Sequence, residues 1–362
     1  MAFVVSGMKI AIKGKVGASD VSAPAFTYRA PRRIELPTGI LSGDCAGHIH
    51  SELNFADVSR FELNDVFMTA TGAVITSDGY VISETVEGDH IANEFAAVGE
   101  TWSIDPSIIV DIEEPVICTS RFGSFNYSVF LHEILPSIYL SRFDSSLSGL
   151  KRSLSFPRFM SAEKISKVLE FLRILDVRQE TLLTTEKGRI YRLKAAHVLR
   201  VGHASEIARI KLLMAPMMTE LAMVLGASSG AREKIYIRRE PGSIRYATNH
   251  EEITDFFTSR GFRVVELAPM SLADQARLFG GAAMVVAEHG AALANLWYMP
   301  PGGSVLELFP KPLEGRSIYR VLSQVKGLSY RAASFPTPEG WVWNADPVTI
   351  PLQTITDNLA EM

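Results

Sequence analysis

The fold of this chain is decided by the stretch AEHGAALANLWYMPPGGSVLELFP, residues 287–310. It follows AAMVVA (282–287), a short apolar run rich in β-branched and small residues, which predicts a strand buried on both faces of a parallel sheet. After the glycine, the sequence predicts a short helix that ends at Pro-Pro-Gly-Gly, and then a second buried strand, SVLELF. Glu288 and His289 therefore emerge at the carboxyl end of a parallel strand, where such sheets bind ligands.

Strands and helices alternate on both sides of this stretch, through residues 233–335. The pattern predicts strands in EKIYIRR and FRVVEL, and helices that begin at Asn249 and Ser271. Such alternation is typical of a doubly wound parallel sheet. The run GASSGAR (226–232) is small and polar enough to be a domain linker.

The first half of the chain has a different pattern. Short alternating runs between residues 61 and 120 predict strands, with a hairpin turn at Ser77-Asp78-Gly79. Helical spacing follows in NYSVFLHEILPSIYLSRF (126–143) and in SAEKISKVLEFLRILDV (161–177), which opens at Ser161. Strands are predicted on both sides of the second of these helices, which indicates an α/β layer, and a long helix follows over residues 204–226.

At 362 residues, the chain is long enough to bury about two cores. The sequence is 47% hydrophobic and 21% charged, which is typical of a globular protein and not of a disordered one. The predicted divisions are a first domain over 1–228 (a β-rich segment, 1–120, and an α/β part, 121–228), a second domain over 229–335, and a tail, 336–362, that packs back on the body.

The charge and hydropathy patterns restrict the partners of the chain. A net charge of -4 argues against nucleic acid, whose binding proteins usually carry a basic stripe. The longest apolar segment, KLLMAPMMTELAMVLG, is interrupted by Glu220 and falls short of the ~18 residues that a membrane span requires. The first lysines follow the initial apolar run, which is the reverse of a secretory signal. We therefore expect a cytoplasmic protein, and peripheral attachment to the inner face of the membrane is compatible with the sequence.

A basic group follows the first predicted strand of the second half. Arg238 and Arg239 lie where this strand ends, and Arg245 lies in the loop that leads to the next helix. Guanidinium groups match phosphate oxygens bidentately, and a helix amino terminus adds backbone N–H donors. The group therefore predicts a diphosphate site. A surface ion pair of Arg239 with Glu240 or Glu251 is the alternative that spacing leaves open.

The turn after the strand 282–287 has several candidate binding residues. Gly290 lets the backbone approach a ligand closely, and His289 is placed to donate a hydrogen bond to a phosphate or leaving oxygen. A histidine satisfied by a carbonyl within the turn is the alternative. Glu288 is either a site carboxylate or the partner of an arginine. Glu307, inside an apolar strand, requires a partner or a place at the ligand end of that strand; it binds either ribose hydroxyls or backbone groups at the sheet edge.

Glu133 lies between apolar residues of the first predicted helix. A buried glutamate at a cleft can act as a general base, and a partly solvated helix residue is the alternative. The adjacent His132 points about 100 degrees away around the helix, so the two do not form a facing pair. Cys45, His48 and His50 are the nearest approach to a metal cluster, and no nucleotide-binding glycine motif occurs, so we expect no metal or cofactor.

Three motifs taken together resemble glycosyltransferase family 61, which includes bacterial capsular polysaccharide biosynthesis proteins. They are NYSVFLHEILP, then IYIRR with Arg245 and NHEE, and then EHGAALANLWYMPPGGSVLELFP. The resemblance spans about residues 60–310, and the last motif is the most specific because family members carry a similar HGA-x-L-x-N...MPPG...V-x-E-L run. It implies the GT-B architecture, in which two Rossmann-like domains face a cleft, here with a β-rich N-terminal segment.

The resemblance also implies a reaction. It is the transfer of a sugar, with inversion and without a bound metal, from a nucleotide-sugar to a hydroxyl of a surface polysaccharide or glycolipid. We expect a UDP-sugar as the donor. The resemblance implies that Arg239 and Arg245 hold the diphosphate, that Asn295 supports the turn and that Glu307 takes the ribose. The predicted nucleotide-sugar site as a whole comprises Arg238, Arg239, Arg245, Glu288, His289, Gly290, Ala291, Asn295 and Glu307. On the acceptor side it comprises Asn126 and Tyr127, with Glu133 as the base and His132 as a second catalytic candidate.

The sequence departs from the family pattern at two places. The first motif usually reads N-Y-x-H-W, whereas Val129 and Phe130 stand at the His and Trp positions here, and Glu288 stands where a small residue is common. This leaves open a different acceptor, reliance on His132 or Glu133, or loss of activity. Two other functions stay open: an inactive protein that binds sugar nucleotides or glycans, and a nucleotide-sugar epimerase or hydrolase of the same two-domain shape.

Overall fold

A computed structural model describes two compact units. The first unit comprises residues 1–32 and 55–217, and the second comprises residues 33–54 and 218–362. The described residues are 9–11, 14–16, 26–28, 33–35, 41–43, 52–54, 58–85, 101–103, 106–121, 126–155, 162–177, 182–186, 188–200, 207–227, 232–313, 316, 318–343 and 345–362. Cys45, His48, His50 and Ser161 lie outside them, and the predicted domain boundary after residue 228 stays a prediction.

The chain is of the predicted α/β class. Its strands are β1 (Lys9–Ala11), β2 (Gly14–Val16), β3 (Phe26–Tyr28), β4 (Arg33–Glu35), β5 (Leu41–Gly43), β6 (Glu52–Asn54), β7 (Val58–Thr69), β8 (Val74–Ile75), β9 (Tyr80–Ile82), β10 (Thr101–Ser103), β11 (Ile109–Ile112), β12 (Val116–Ile117), β13 (Lys151–Ser155), β14 (Leu182–Thr185), β15 (Ile190–Arg200), β16 (Glu233–Ile237), β17 (Arg263–Val265), β18 (Ala282–Glu288), β19 (Ser304–Pro310) and β20 (Ser329–Phe335). The α-helices among the described residues are α1 (Tyr127–Val129), α2 (Leu135–Leu140), α3 (Ala162–Ile174), α4 (Ile207–Val224), α5 (His250–Ser259), α6 (Leu272–Gly280), α7 (Ile318–Lys326) and α8 (Leu352–Ala360).

One mixed sheet of ten strands organises the first unit. Its longest pair is β7 with β15, which run antiparallel, and alternate residues of β7 such as Phe61 and Leu63 are buried in the core. Strands β12, β13 and β14 lie parallel to one another on one side of this pair. The β-rich segment and the α/β part of the sequence therefore contribute strands to the same sheet. The predicted hairpin is confirmed, since Gly79 N donates to Thr76 O at 2.9 Å between β8 and β9.

The second unit contains a parallel sheet of six strands in the order β17-β16-β18-β19-β20-β5. Four of the strands, β16, β17, β18 and β19, were predicted from their apolar runs, and they are confirmed. Because β17 lies on one side of β16 and β18 on the other, the strand order reverses at β16. Ligands of open parallel sheets bind outside the carboxyl ends of the strands at such a reversal. The fold thus places the end of β16 and the end of β18 side by side.

The last residues of the chain pack against this sheet. Val348, Ile350 and Ile355 belong to the same buried cluster as Phe257 of α5. Asn249 precedes α5 as predicted, but its side chain does not cap the helix. Instead its amide exchanges two hydrogen bonds with the backbone of Ile350, at 2.9 and 3.1 Å. The amide therefore ties the tail to the start of α5.

A buried polar cluster joins the long strands of the first unit to the turn after α2. Arg60 of β7 donates to Asp144 Oδ2 at 2.6 Å, to His197 Nδ1 of β15 at 2.7 Å and to Ser146 Oγ at 3.1 Å. Burial disfavours the charged form of Asp144, but hydrogen bonds from Ser146 and Arg60 hold the pKa of this carboxyl below its ordinary value. Burial, and then the positive charge of Arg60, lower the pKa of His197.

We predict that His197 makes the fold sensitive to mild acid. In the unfolded chain, this histidine takes up a proton as the pH falls below about 6.5, whereas the lowered pKa delays this step in the folded chain. The unfolded state then binds more protons, so the free energy of unfolding decreases as the pH falls. His197→Asn keeps an acceptor for Arg60 and lacks the titration. Urea unfolding should show that the free energy of unfolding falls less between pH 7.5 and pH 5.0 in the variant than in the wild type. Equal decreases in the two proteins would contradict this account.

Candidate functional site

Two arginine side chains converge on one backbone oxygen at the end of β18. Arg239 Nη2 donates to His289 O at 2.6 Å, and Arg245 Nη2 lies 3.4 Å from the same oxygen. Arg239 Nη1 also donates to Ile244 O at 3.0 Å, and Arg245 Nη1 donates to Trp343 O at 3.1 Å. The loop after β16 therefore brings two guanidinium groups to the carboxyl edge of the sheet, and their role in binding a diphosphate stays a prediction.

Gly290 provides the space that this arrangement needs. Its φ of 168 degrees is extended backbone, so the absence of a side chain is not required by conformation. A Cβ at this position would overlap Arg239 Nη2 and would lie 3.8 Å from Arg245 Nη2. A larger residue would therefore displace the Arg239 guanidinium, which is the flexible end of a long side chain.

Glu288, the last residue of β18, is the carboxylate partner of Arg239. Its Oε2 lies 3.1 Å from Arg239 Nε, and its side chain is 4% exposed. Burial raises the pKa of Glu288 to about 7, while the charges of Arg239 and Arg245 act in the opposite direction. Arg239 therefore pairs with Glu288 and not with Glu240 or Glu251, the partners that its spacing left open. The raised pKa places the titration of Glu288 near neutral pH.

His289 is fixed by a carboxylate and not by a carbonyl of the turn. Its Nδ1 lies 2.6 Å from Glu307 Oε1, and its ring stacks on Phe309 at a centroid distance of 4.8 Å. Tyr330 donates to the other carboxylate oxygen, Glu307 Oε2, at 2.6 Å. Because Glu307 is 0% exposed, it orients the imidazole and leaves Nε2 as an acceptor in the neutral ring or a donor in the imidazolium. The ribose role of Glu307 stays a prediction, and it would require these bonds to be exchanged.

Asn295 supports the turn that follows Gly290. The predicted helix is a 3-10 helix, Ala291–Tyr298, which begins with the candidate residue Ala291. Asn295 Nδ2 donates to Ala292 O at 3.2 Å within this helix and to Gln275 Oε1 of α6 at 3.0 Å. Asn295 is 1% exposed, so it acts on the turn from inside the protein.

Arg238 is directed away from these residues. Its Nε donates to Glu266 Oε1 at 2.9 Å, and its Nη2 contacts the same oxygen, just beyond β17. The structure thus brings together Arg239, Arg245, Glu288, His289 and Gly290, and it gives Arg238 a separate carboxylate partner. A role for Arg238 in phosphate binding stays a prediction.

Sequence reasoning missed two residues beside this group. The guanidinium carbon of Arg316 lies 4.7 Å from the ring centroid of Trp343, and that of Arg245 lies 5.7 Å from it. Burial, and then the charges of Arg239 and Arg316, lower the pKa of Arg245 to about 10. Arg245 also has a φ of 60 degrees, in the left-handed region that non-glycine residues rarely adopt. Its position is held against both charge repulsion and backbone preference, which is typical of functional sites.

The candidate catalytic residues of the first unit lie on an irregular helix. The chain passes from α1 through a π turn, Phe130–Ile134, into α2. π turns inside α-helices occur frequently at functional sites. His132 is buried and its Nδ1 lies 3.0 Å from Ser128 Oγ, whereas Glu133 is half-buried. The helix predicted here is thus interrupted by a π turn. Adjacent residues such as His132 and Glu133 still point in different directions around the axis.

The two acceptor-side candidates, Asn126 and Tyr127, contact residues of α1 and α3. Asn126 caps α1, with its Oδ1 accepting from the backbone N–H of Ser128 at 2.9 Å. The ring of Tyr127 lies 6.1 Å from that of Phe171 of α3, measured between centroids. Contact with an acceptor stays a prediction for both.

The described residues contain neither a cluster of metal ligands nor a membrane-spanning helix. Within the described ranges, no group of three His, Cys, Asp or Glu side chains lies close enough together to hold a metal ion. Among the helices that the structure describes, none is both long and apolar enough to cross a membrane.

We predict that Tyr330→Phe destabilises the second unit. Glu307 Oε2 would lose its phenol donor in a place without solvent, and a buried acceptor without its partner costs about 1–3 kcal/mol. Urea denaturation should therefore show a lower free energy of unfolding. Tyr246→Phe is a control, since Tyr246 also bonds a histidine, His250, but in a half-buried place. A decrease in the free energy of unfolding no larger than that of the control would argue against a structural role for this hydrogen bond.

Comparison with known proteins identifies the family. The family model described as Glycosyltransferase 61 matches residues 110–306, which is more than half of the chain. The chain is also similar to protein O-linked-mannose beta-1,4-N-acetylglucosaminyltransferase 2 of Tetraodon nigroviridis, with 28% identity over 131 residues. This similarity covers 34% of the chain and 22% of the relative, so the chain matches about a fifth of that protein's length. The chain therefore belongs to glycosyltransferase family 61, and the prediction of a glycosyltransferase is confirmed.

Proposed function

We propose that this chain transfers a sugar from a nucleotide-sugar to a hydroxyl group of a polysaccharide or glycolipid, with inversion and without a metal ion. The observation that carries the proposal is the convergence of Arg239 and Arg245 on His289 O beside Gly290. Two cations at the carboxyl edge of a parallel sheet suit a diphosphate. The donor that we favour is a UDP-sugar, and the two units would be the halves of a GT-B enzyme.

In this reaction the bond between the anomeric carbon and the diphosphate oxygen breaks, and the acceptor oxygen forms a new bond to that carbon. Negative charge develops on the departing diphosphate. Fixed positive groups that face this charge contribute the largest stabilisation in reactions of this type. Arg239 and Arg245 would supply it, with His289 adding a hydrogen bond from Nε2 when its ring is protonated.

A base must take the proton of the acceptor hydroxyl. We propose Glu133 for this role, because it is the less buried of the two candidates on the π turn and keeps the acidic position of the family motif. His132 already contacts Ser128 through Nδ1. Asn126 and Tyr127 would lie on the acceptor side of the same helix.

A second candidate function is binding without catalysis. It is favoured by Val129 and Phe130, which replace the His and Trp usual in the family motif. Such a protein would retain nucleotide binding at Arg239 and Arg245 and would lack turnover. For either function, we propose a cytoplasmic protein that associates peripherally with the inner face of the membrane, because the proposed acceptor is a polysaccharide or glycolipid.

A nucleotide-binding screen tests the donor site. Calorimetry and thermal shift with UDP, GDP, CMP and ADP, each with and without EDTA, should show preferential binding of one nucleotide that EDTA does not change. Arg239→Ala should weaken this binding roughly 10- to 100-fold, because hydrogen bonds to charged groups are worth about 1.5–3 kcal/mol. Gly290→Ala should weaken it as well, since its Cβ displaces the Arg239 guanidinium.

The control for this screen is Arg263→Ala. This variant removes an exposed arginine at the amino-terminal end of strand β17, away from the carboxyl edge of the sheet. It should bind as the wild type does. If none of the four nucleotides binds, the donor site is refuted. Equal affinities of wild type and Arg239→Ala would remove Arg239 from the site.

We predict that Glu133→Gln impairs transfer without impairing donor binding. Loss of a general base typically costs 10²- to 10⁴-fold in rate. Transfer is measured with UDP-N-acetylglucosamine first, since the similar protein of Tetraodon nigroviridis is named as an N-acetylglucosaminyltransferase. Glu113→Gln, an exposed carboxylate of the same unit, is the control. Full activity of Glu133→Gln would exclude it as the base, and binding without any transfer in the wild type would favour the second candidate.

A further inference from the structure

Glu288 forms an ion pair with Arg239, which is one of the two cations that a bound diphosphate would use. Its Oε2 lies 3.1 Å from Arg239 Nε, with a side chain that is 4% exposed. The same carboxylate is also attracted by the charge of Arg245. These are the two arginines to which the proposed function assigns the diphosphate. An ionised Glu288 and a diphosphate would therefore compete for one pair of cations in a place with little solvent.

The charges around Glu288 determine how this competition ends. Among the described residues, the charged groups that act on Glu288 are Arg239 and Arg245, and the hydroxyl of Tyr236 in β16 faces it as well. Arg316 adds a third positive charge, which acts on Arg245. With Glu288 ionised, the two arginines and the carboxylate carry one net positive charge. The diphosphate of a nucleotide-sugar is a diester with two negative charges, so together with the ionised carboxylate it would set three negative charges against the two positive charges of Arg239 and Arg245. With Glu288 neutral, the two arginines match the two charges of the ligand.

We propose that Glu288 takes up one proton from solvent when a nucleotide-sugar binds and releases it when the site empties. The inference rests on the proposed function, because it places the diphosphate against Arg239 and Arg245. The carboxylate becomes a neutral carboxylic acid, and no other bond is made or broken, so the step balances as one proton for each ligand. In the empty site, the ionised carboxylate holds the Arg239 guanidinium in place.

The energetic cost of this protonation is small near neutral pH. Burial already raises the pKa of Glu288 to about 7, so the empty site holds the proton part of the time. A bound diphosphate adds negative charge and raises the pKa further. A ligand whose binding requires a proton binds about tenfold more weakly for each pH unit well above the pKa of the empty site. From pH 6.0 to pH 8.0, this amounts to a loss of about tenfold.

The test is calorimetric titration with UDP-N-acetylglucosamine, UDP-glucose and GDP-mannose, whose diphosphates do not titrate in this range. For the wild type, we expect binding about tenfold weaker at pH 8.0 than at pH 6.0. The difference in heat between Tris and HEPES at pH 8.0 should correspond to uptake of close to one proton. Glu288→Gln should lose both the pH dependence and the proton uptake, and at pH 8.0 it should bind more tightly than the wild type.

Glu266→Gln is the matched control, because Glu266 is a carboxylate that pairs with an arginine, Arg238, at the same edge of the sheet. It should keep both the pH dependence and the proton uptake. Glu288→Ser is a second variant, without a buried amide, in case Glu288→Gln fails to fold.

The outcomes separate this inference from the function on which it rests. Binding by the wild type without pH dependence and without proton uptake would overturn the role of Glu288 and leave the donor site intact. Proton uptake that persists without Glu288 would assign the proton to another group and would also overturn it. No binding of any of the three sugar nucleotides at pH 6.0 would refute the donor site itself.

Discussion

The arrangement of the sheet edge in the second unit depends on the ion pair between Glu288 and Arg239. Strand β18 lies inside a six-stranded parallel sheet, yet it ends in a carboxylate that is almost entirely buried. A buried charge is tolerated when a counter-charge and hydrogen bonds compensate its desolvation. Arg239 supplies this charge and also donates to Ile244 O and His289 O. The path of the loop after β16 and the lack of a side chain at Gly290 both follow from where this guanidinium lies.

Four of the six strands in the sheet of the second unit, β16 to β19, could be predicted from sequence because their signals are local. Each strand is an apolar run of a few residues, and each is bounded by glycine, proline or a helix cap, as Ser271 illustrates by accepting a hydrogen bond from Asp274 N at 3.1 Å. The convergence of Arg239 and Arg245 near His289 follows from parallel topology, which places the ends of neighbouring strands together. Their shared acceptor, the His289 carbonyl, has no sequence signal.

Residues that approach from distant segments escaped sequence reasoning. Trp343 follows Arg245 by nearly a hundred residues, and Arg316 and Tyr330 belong to segments whose patterns indicate packing and not binding. In the first unit, residues 130–132 and 134–141 are all buried, so the apolar spacing of 126–143 does not distinguish a regular α-helix from a helix with one π turn. The Arg60 cluster likewise joins residues 84 and 137 positions apart, for which local periodicity holds no information.

The two buried carboxylates of neighbouring strands have opposite consequences for a ligand. Glu307 has an imidazole on one carboxylate oxygen and a phenol on the other, and its side chain is 0% exposed. Its charge is therefore part of the fold, and its effect on a ligand passes through the orientation of His289. Glu288 instead has as its partner a guanidinium, for which phosphate is an equally suitable anion. Of the two, Glu288 carries the charge that a ligand can replace, and its burial makes protonation the least costly way to remove it.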